Sequence, residues 1–239
     1  MKKVICDAGH GGRDPGAGGH GITEKVVTLP LALETEKALL AGWEDIEVVL
    51  TRRRDEYVSI ANRASFGRGA DLFVSMHLDW NGNPAVRGFW TWRNTTVQQA
   101  TPGYQKIIHE ETYKALAPLG VPDRGLRTAN HDITRLPPCP TVLIEYGFIS
   151  NQADAAVFKS SANIAKVAQA TAAGIAEALQ LPRKSGQAPA PDPAPPVDSD
   201  VYFRVIIGSY KDRNNAIRAR DEARAKGFNN AFIAAFRKQ

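Results

Sequence analysis

Three short apolar runs each deliver a side chain able to hold a metal or move a proton. "VICDAGH" delivers His10, "FVSMH" delivers His77 and "VLIEYG" delivers Glu145. Glu24 adds a carboxylate fourteen residues beyond His10, across the glycine-rich run "DAGHGGRDPGAGGHGITEK". Two histidines and one carboxylate make a known kind of catalytic zinc shell with water in the fourth position. Zinc in such a shell lowers the pKa of water and polarises a carbonyl under attack. A second carboxylate outside the shell then serves as general base and as acid for a leaving amine.

Each residue also has a plainer reading. A histidine at a strand end is commonly a polar surface residue. Glu24 is a favourable charge for the first turn of a helix. Glu145 is the hardest to dismiss, because a carboxylate inside "TVLIEYGFI" is costly to bury unless it is paired or used. Asp7 can hydrogen-bond a histidine or the loop, and Asp79 either supports His77 or is a solvated loop acid. Arg52, Arg53, Arg54 and Arg63 can orient substrate carboxylates or lie in surface ion pairs.

These residues meet only if the elements carrying them are neighbours. "KKVICDA", "IEVVLTR" and "DLFVSMHLDW" read as strands, the third running to about His77. "RGFWTW" reads as a fourth strand near a sheet edge, and "CPTVLIEYGFISN" as a dense apolar strand ending at Glu145. "TEKVVTLPLALETEKALLAG" is helical, with Thr23 as a cap, Gly42 as a stop and Pro30 marking a kink or a later start. "SIANRASFGRGA", "QKIIHEETYKALAPLG" and "SANIAKVAQATAAGIAEALQ" supply further helices. Alternating strands and helices imply an α/β fold, a twisted, mostly parallel sheet with helices on both faces. In such sheets ligands bind beyond the C-terminal strand ends, where His10, His77, Glu145 and the helix start at Glu24 would converge.

Residues 181–199 hold six prolines and read as a linker. Residues 200–239 resume an ordered pattern, a small C-terminal βαβ module with an arginine-rich helix. The net charge of +5 comes from this end: residues 181–239 carry eleven basic and six acidic side chains, while 1–180 balance. The surplus allows a polyanionic partner, yet no aromatic stacking series or reading helix supports nucleic acid. No 18-residue apolar stretch spans a membrane. Cys6 and Cys139 sit in or beside apolar runs as free thiols and form no CxxC knuckle. "MKKVICDAGHGG" reads as a strand entering a loop, not a signal peptide. The expectation is a protein that works inside the cell, or one made in the cytoplasm that reaches its target by lysis or a non-classical route, or one whose leader has been removed.

The stretches "DAGHGGRDPGAGGHGITEK", "TRRRDEYVSIANRASFGRGADLFVSMH", "DRGLRTANHDITRL" and "PTVLIEYGFISNQAD" resemble, in order, the zinc-dependent N-acetylmuramoyl-L-alanine amidase family over residues 2–179. The resemblance implies zinc held by His10, Glu24 and His77, with Glu145 catalytic. It implies cleavage of the amide between the lactyl group of N-acetylmuramic acid and the L-alanine of the stem peptide, with peptidoglycan as partner. It further implies a catalytic domain at 1–180. The family usually continues its "SIH" strand with "ANA"; here "SMH" continues with "LDW", which bears on substrate preference. His131, in "TANHDITRL", stands where the family shows an aromatic or apolar pair, either touching substrate or idle.

The tail resembles one sporulation-related wall-binding repeat, where the usual module has two. This implies wall binding through Arg204, Arg213, Arg218 and Arg220, with a homodimer completing the half-module. Two other classes use the same residues differently: a zinc peptidase cutting within the stem peptide, and a non-catalytic wall-binding protein.

Overall fold

The structure is a computed structural model that describes residues 1–96 and 100–184, together with positions 215, 217–219, 221 and 222. The chain divides into two compact units, Met1–Pro193 and Ala194–Gln239. In the first unit the elements run β1 (Lys2–Ala8), β2 (Gly18–Gly19), β3 (Ile22–Thr23), α1 (Glu24–Gly42), β4 (Ile46–Leu50), α2 (Ile60–Ser65) and β5 (Leu72–Asp79). They continue with β6 (Phe89–Arg93), α3 (Thr101–Leu116), β7 (Asp123–Thr128), α4 (Asp132–Arg135), β8 (Thr141–Phe148), α5 (Gln152–Phe158) and α6 (Ser161–Ala178).

Six strands form one sheet in the order β4-β1-β5-β8-β6-β7. The pairs β4–β1, β1–β5, β5–β8 and β6–β7 are parallel, and β6–β8 is antiparallel. The three site-bearing strands are therefore adjacent, which meets the condition on which the convergence of their residues depends. The "RGFWTW" strand does lie near an edge: β6 is second from it, between β8 and β7. The edge is β7, whose "DRGLRT" is polar and largely exposed and so shows no apolar alternation to announce a strand.

Residue parity sorts the two faces. Val4, Cys6, Ala8, Leu72, Val74, Met76, Val142, Ile144 and Tyr146 join the large core with α1, α3 and α6. Helix α6 lies against both α1 and α3. Its small residues permit close approach, and a Cβ on Gly174 would come within 2.9 Å of the Ile108 Cα. The opposite face carries only a small core, Ile5, Phe73 and Cys139, packed with Phe66 and Ile133 beside α2 and α4. Asp7, Ser75, His77, Asp79 and Glu145 alternate onto this second face, which short elements leave partly open. Cys6 and Cys139 are both buried and free.

Helix α1 begins at Glu24, and Thr23 occupies the N-cap without a side-chain capping bond. The glycine loop does that work instead. Glu24 N donates to Ala17 O at 2.9 Å and Lys25 N to Pro15 O at 3.2 Å. The helix runs through Pro30. The carbonyl deprived of its donor is that of Val26, whose side chain is exposed, so water can satisfy it. No helix among the described residues is long and apolar enough to cross a membrane.

In the second unit, positions 215, 217–219, 221 and 222 are helical, and exposed Arg218 donates to Asn215 Oδ1. Residues 185–199 of the linker, both strands of the βαβ pattern and Arg204, Arg213 and Arg220 lie outside the described residues.

Candidate metal centre

The backbone continues from β1 into the glycine loop, with Gly9 N bonded to Met76 O at 3.1 Å. His10 follows with φ 60°, a left-handed conformation that is unusual for a non-glycine residue and marks a constrained site. The loop returns through β2 and β3 to Glu24. One carboxylate oxygen, Glu24 Oε2, then lies 3.2 Å from His10 Nε2 and 3.3 Å from His77 Nδ1. It also accepts the Leu78 N–H at 3.2 Å, while Oε1 accepts the Ala17 N–H at 2.7 Å. Ligand atoms of His10, Glu24 and His77 all lie within 4.8 Å of one another.

The two separations from Glu24 Oε2 fit a metal. Two ligand atoms at about 2.0–2.1 Å from a tetrahedral ion stand roughly 3.3 Å apart. The orientation fits as well. His10 Nδ1 lies 2.9 Å from Asp14 Oδ2, so Asp14 fixes the tautomer that turns the Nε2 lone pair inward. Asp14 was not among the residues the sequence singled out. A carboxylate four residues after a candidate ligand histidine, inside the same loop, was the available signal.

The charges follow from this geometry. Burial pushes Glu24 up, but contacts from His10 and His77 prevail and bring it down to about 2. Burial pulls His10 down, and the neighbouring Glu24 and Asp14 carboxylates more than reverse that, so it is raised.

Glu145 stands beside the cluster but outside it. Strand β8 pairs His77 with Glu145 in direct register, on the same face. Neither is a strand-end residue: β5 runs on to Asp79 and β8 to Phe148, with a register shift between His77 and Asp79. The longer β8 follows from its pattern, since Tyr146 and Phe148 are buried beyond the carboxylate. Glu145 Oε2 is buried with no hydrogen-bond partner among the described residues. Burial first, then the charges of Glu24 and Asp79, push this carboxyl well above the ordinary glutamate value. On its other side Trp90 of β6 is also in register, with the Arg124 guanidinium 4.5 Å from its ring centroid.

A cavity of 730 Å³ opens over this face, lined by all four residues together with Asp7, Arg63, Asp79 and His131. Asp7 and Arg63 form its floor. Asp7 Oδ1 accepts from Thr51 Oγ1 and Arg63 Nη1, both at 2.6 Å, and Oδ2 from Ser75 Oγ at 2.7 Å. Arg63 also donates to the carbonyls of Ala8 and His10. Arg52 is buried and donates to the carbonyls of Ala8 and Gly9 at 3.0 Å each. Two arginines thus hold the backbone that presents His10. Arg53 and Arg54 do not share this role, pairing with Glu36 and Glu56.

Asp79 Oδ1 accepts the Trp80 N–H at 2.6 Å, and burial chiefly raises its carboxyl. His131 opens α4 and sets its ring edge-on to Trp92 at 5.1 Å. His20 lies apart from the cluster, with Nε2 3.1 Å from Ser150 O.

The glycines of the loop are explained by what touches them. A Cβ on Gly9 would fall 2.3 Å from His77 Cε1, and one on Gly16 2.6 Å from His10 Cδ2. Both rings rest directly on glycine α-carbons. Gly9→Ala is therefore expected to displace His77 and weaken metal affinity roughly tenfold or more, with the far-ultraviolet circular dichroism spectrum unchanged. A metal titration checks this; unchanged affinity would show that His77 does not depend on that contact.

Comparison with known proteins follows the same outline. The N-acetylmuramoyl-L-alanine amidase family model matches residues 4–177. The chain is 35% identical over 235 residues to a sporulation-specific N-acetylmuramoyl-L-alanine amidase of Bacillus subtilis (strain 168), covering 98% of this chain and 85% of that protein. It is 39% identical over 189 residues to an endolysin of Bacillus phage SPP1, covering 77% and 69% respectively. Among solved structures it is similar to the catalytic domain of CwlV, an N-acetylmuramoyl-L-alanine amidase from Bacillus (Paenibacillus) polymyxa var. colistinus. There the TM-score is 0.70 at 34% identity, over 76% of this chain and 99% of that one.

Proposed function

We propose the following chemistry for a chain that belongs to the N-acetylmuramoyl-L-alanine amidase family: hydrolysis of the amide joining the lactyl group of N-acetylmuramic acid to the L-alanine of the stem peptide, assisted by zinc. The observation that carries the reading is the convergence of His10, Glu24 and His77 on one point, with Glu145 in register beside it. Two imidazoles and a carboxylate at these separations suit zinc. Zinc there supplies positive charge that polarises the amide carbonyl and lowers the pKa of water. Glu145 takes the proton of the attacking water as its oxygen bonds the carbonyl carbon. As the carbon–nitrogen bond breaks, Glu145 returns that proton to the alanine nitrogen. Arg63 and Arg52 hold the loop carbonyls, and Asp14 keeps His10 turned inward.

The test is product chemistry. Digestion of purified wall is expected to release new free amines without new reducing ends. New reducing ends without amines would mean a glycosidase and would overturn the reading. A zinc peptidase would instead release amines within the stem peptide and leave muramoyl-alanine intact. A pure wall-binding protein would release neither.

Glu145 must be ionised to act as a base, and its raised pKa places the acid limb of kcat/KM above the ordinary carboxylate range. Asp79 is one of the charges that raise it. Asp79→Asn removes a like charge, lowers the Glu145 pKa and is expected to shift that limb to lower pH. A pH profile of kcat/KM on a soluble muropeptide measures it; a shift to higher pH contradicts the sign.

We further infer that residues 200–239 assist retention on the wall, with Arg204, Arg213, Arg218 and Arg220 among the contacts. The support is the basic surplus of that segment.

A further inference from the structure

Trp80 is 55% exposed, and Tyr57 is 45% exposed. They are the two aromatic residues among the large hydrophobic side chains most exposed in the described part of the chain, and both line the mouth of the cleft over Glu145. Their surroundings differ. The Arg13 guanidinium stacks 4.4 Å from the Tyr57 ring centroid. No ring or guanidinium among the described residues stacks on Trp80. Trp80 therefore offers a free aromatic face three residues beyond His77.

Its loop is built to hold it still. Asn81 N donates to Ser150 Oγ at 3.0 Å, Asn83 N to Asn81 Oδ1 at 2.9 Å and Asn151 Nδ2 to Pro84 O at 2.7 Å. Arg87 anchors the far end on buried Asp154 at 2.9 Å. A large apolar ring left in water on a tied loop gains nothing for the fold. It is preorganised for a ligand.

Charge distinguishes which part of the substrate lies there. Beside Trp80 stands the carboxyl of Asp79, while Asp132 of the same cleft is already paired with Arg135. This disfavours the anionic carboxylates of a stem peptide and suits a neutral saccharide, whose C–H face stacks on an indole. The Arg13–Tyr57 side carries the cation that peptide carboxylates need.

We propose that Trp80 is a saccharide platform that stacks on an N-acetylhexosamine ring of the glycan strand. The strand thereby lies on the β5–β6 side of the cleft and the stem peptide leaves past Arg13. This deepens the amidase reading and rests on it. It also gives a role to the "LDW" that follows "SMH" in place of the family's usual residues.

The test uses the full-length, zinc-loaded chain carrying Glu145→Gln, titrated calorimetrically with a peptide-free N-acetylglucosamine tetramer. Adding Trp80→Ala is expected to weaken binding on the order of tenfold, and Trp80→Phe to restore much of it. In the chain with Glu145 intact, Trp80→Ala is expected to raise KM for long-glycan substrate on the same order and leave kcat unchanged. Equal tetramer affinity in all three proteins, or a fall in kcat at constant KM, overturns the proposal. Failure of the amidase reading is distinct: the chain with native Glu145 and Trp80 would then release no amine from wall, whatever the tetramer affinity.

Discussion

Glu145→Gln is expected to lower kcat on the order of a thousandfold while leaving metal content and fold intact. Glutamine matches glutamate in volume but cannot accept and return a proton. The substitution breaks no protein contact at Oε2, which has no hydrogen-bond partner among the described residues. It also leaves the His10, Glu24 and His77 cluster untouched, since Glu145 lies outside it. Stability gives an independent check with a definite sign. A carboxyl whose pKa is raised on folding opposes the fold at every pH above its unfolded value. Glutamine removes that opposition, so the metal-free variant is expected to melt no lower than its parent at neutral pH. Full activity in the variant would remove Glu145 from the reaction. Lost activity with lost metal would make it a ligand instead.

Removal of metal is the second large effect. A chelator is expected to abolish turnover, and stoichiometric zinc to restore it. Apparent thermal stability should rise with free zinc, because an ion bound only by the folded state stabilises it by mass action. His77→Ala is expected to weaken affinity on the order of a hundredfold or more, since it leaves two of the three candidate ligands. His20→Ala is the control, because His20 contacts Ser150 O away from the cluster and should bind zinc as the parent does. The pH dependence has a fixed direction. Ligation needs neutral imidazole, and the Glu24 and Asp14 carboxylates raise the metal-free His10 pKa against its burial. Proton competition therefore begins at a higher pH than for an ordinary histidine, and affinity falls as pH drops through that point. Titrations across pH of the parent, His77→Ala and His20→Ala proteins measure both effects. Activity that survives exhaustive chelation would contradict the metal-dependent scheme.

The sequence exposed the parts of this site that use contrast. Glu145 stood out because it interrupts an apolar run, and His10 and His77 because each follows one. A mostly parallel sheet followed from alternating elements, but that β1, β5 and β8 are neighbours in it is set by the strand order. What remained hidden depends on contacts between distant segments. Asp14 is one of several acids around a glycine-rich loop, and only the folded loop brings its oxygen 2.9 Å from His10 Nδ1. Arg63 and Arg52 read as candidates to orient substrate. Burial turns them inward onto the carbonyls of Ala8, Gly9 and His10. The position of β6 near the edge was legible in "RGFWTW", but the strand outside it, β7, was not, being polar and without apolar periodicity.

The glycine-rich loop shows the same division. Its composition announced a tight turn between a strand and a helix, and the turn does join His10 to Glu24. That Gly9 and Gly16 are the surfaces on which His77 and His10 rest required the packed structure. The departure "LDW" was visible as a difference, but its consequence depends on a loop tied to Ser150 and Asn151, 69 and 67 residues from their partners in the chain.

The most direct measurement of the central claim is mass spectrometry of defined peptidoglycan digested by the full-length protein, with and without chelator. The account predicts intact glycan strands with free lactyl carboxylates and stem peptides beginning with a free L-alanine amine, both absent when zinc is removed. Cleavage inside the stem peptide or within the glycan, or the same products in the presence of chelator, would contradict it.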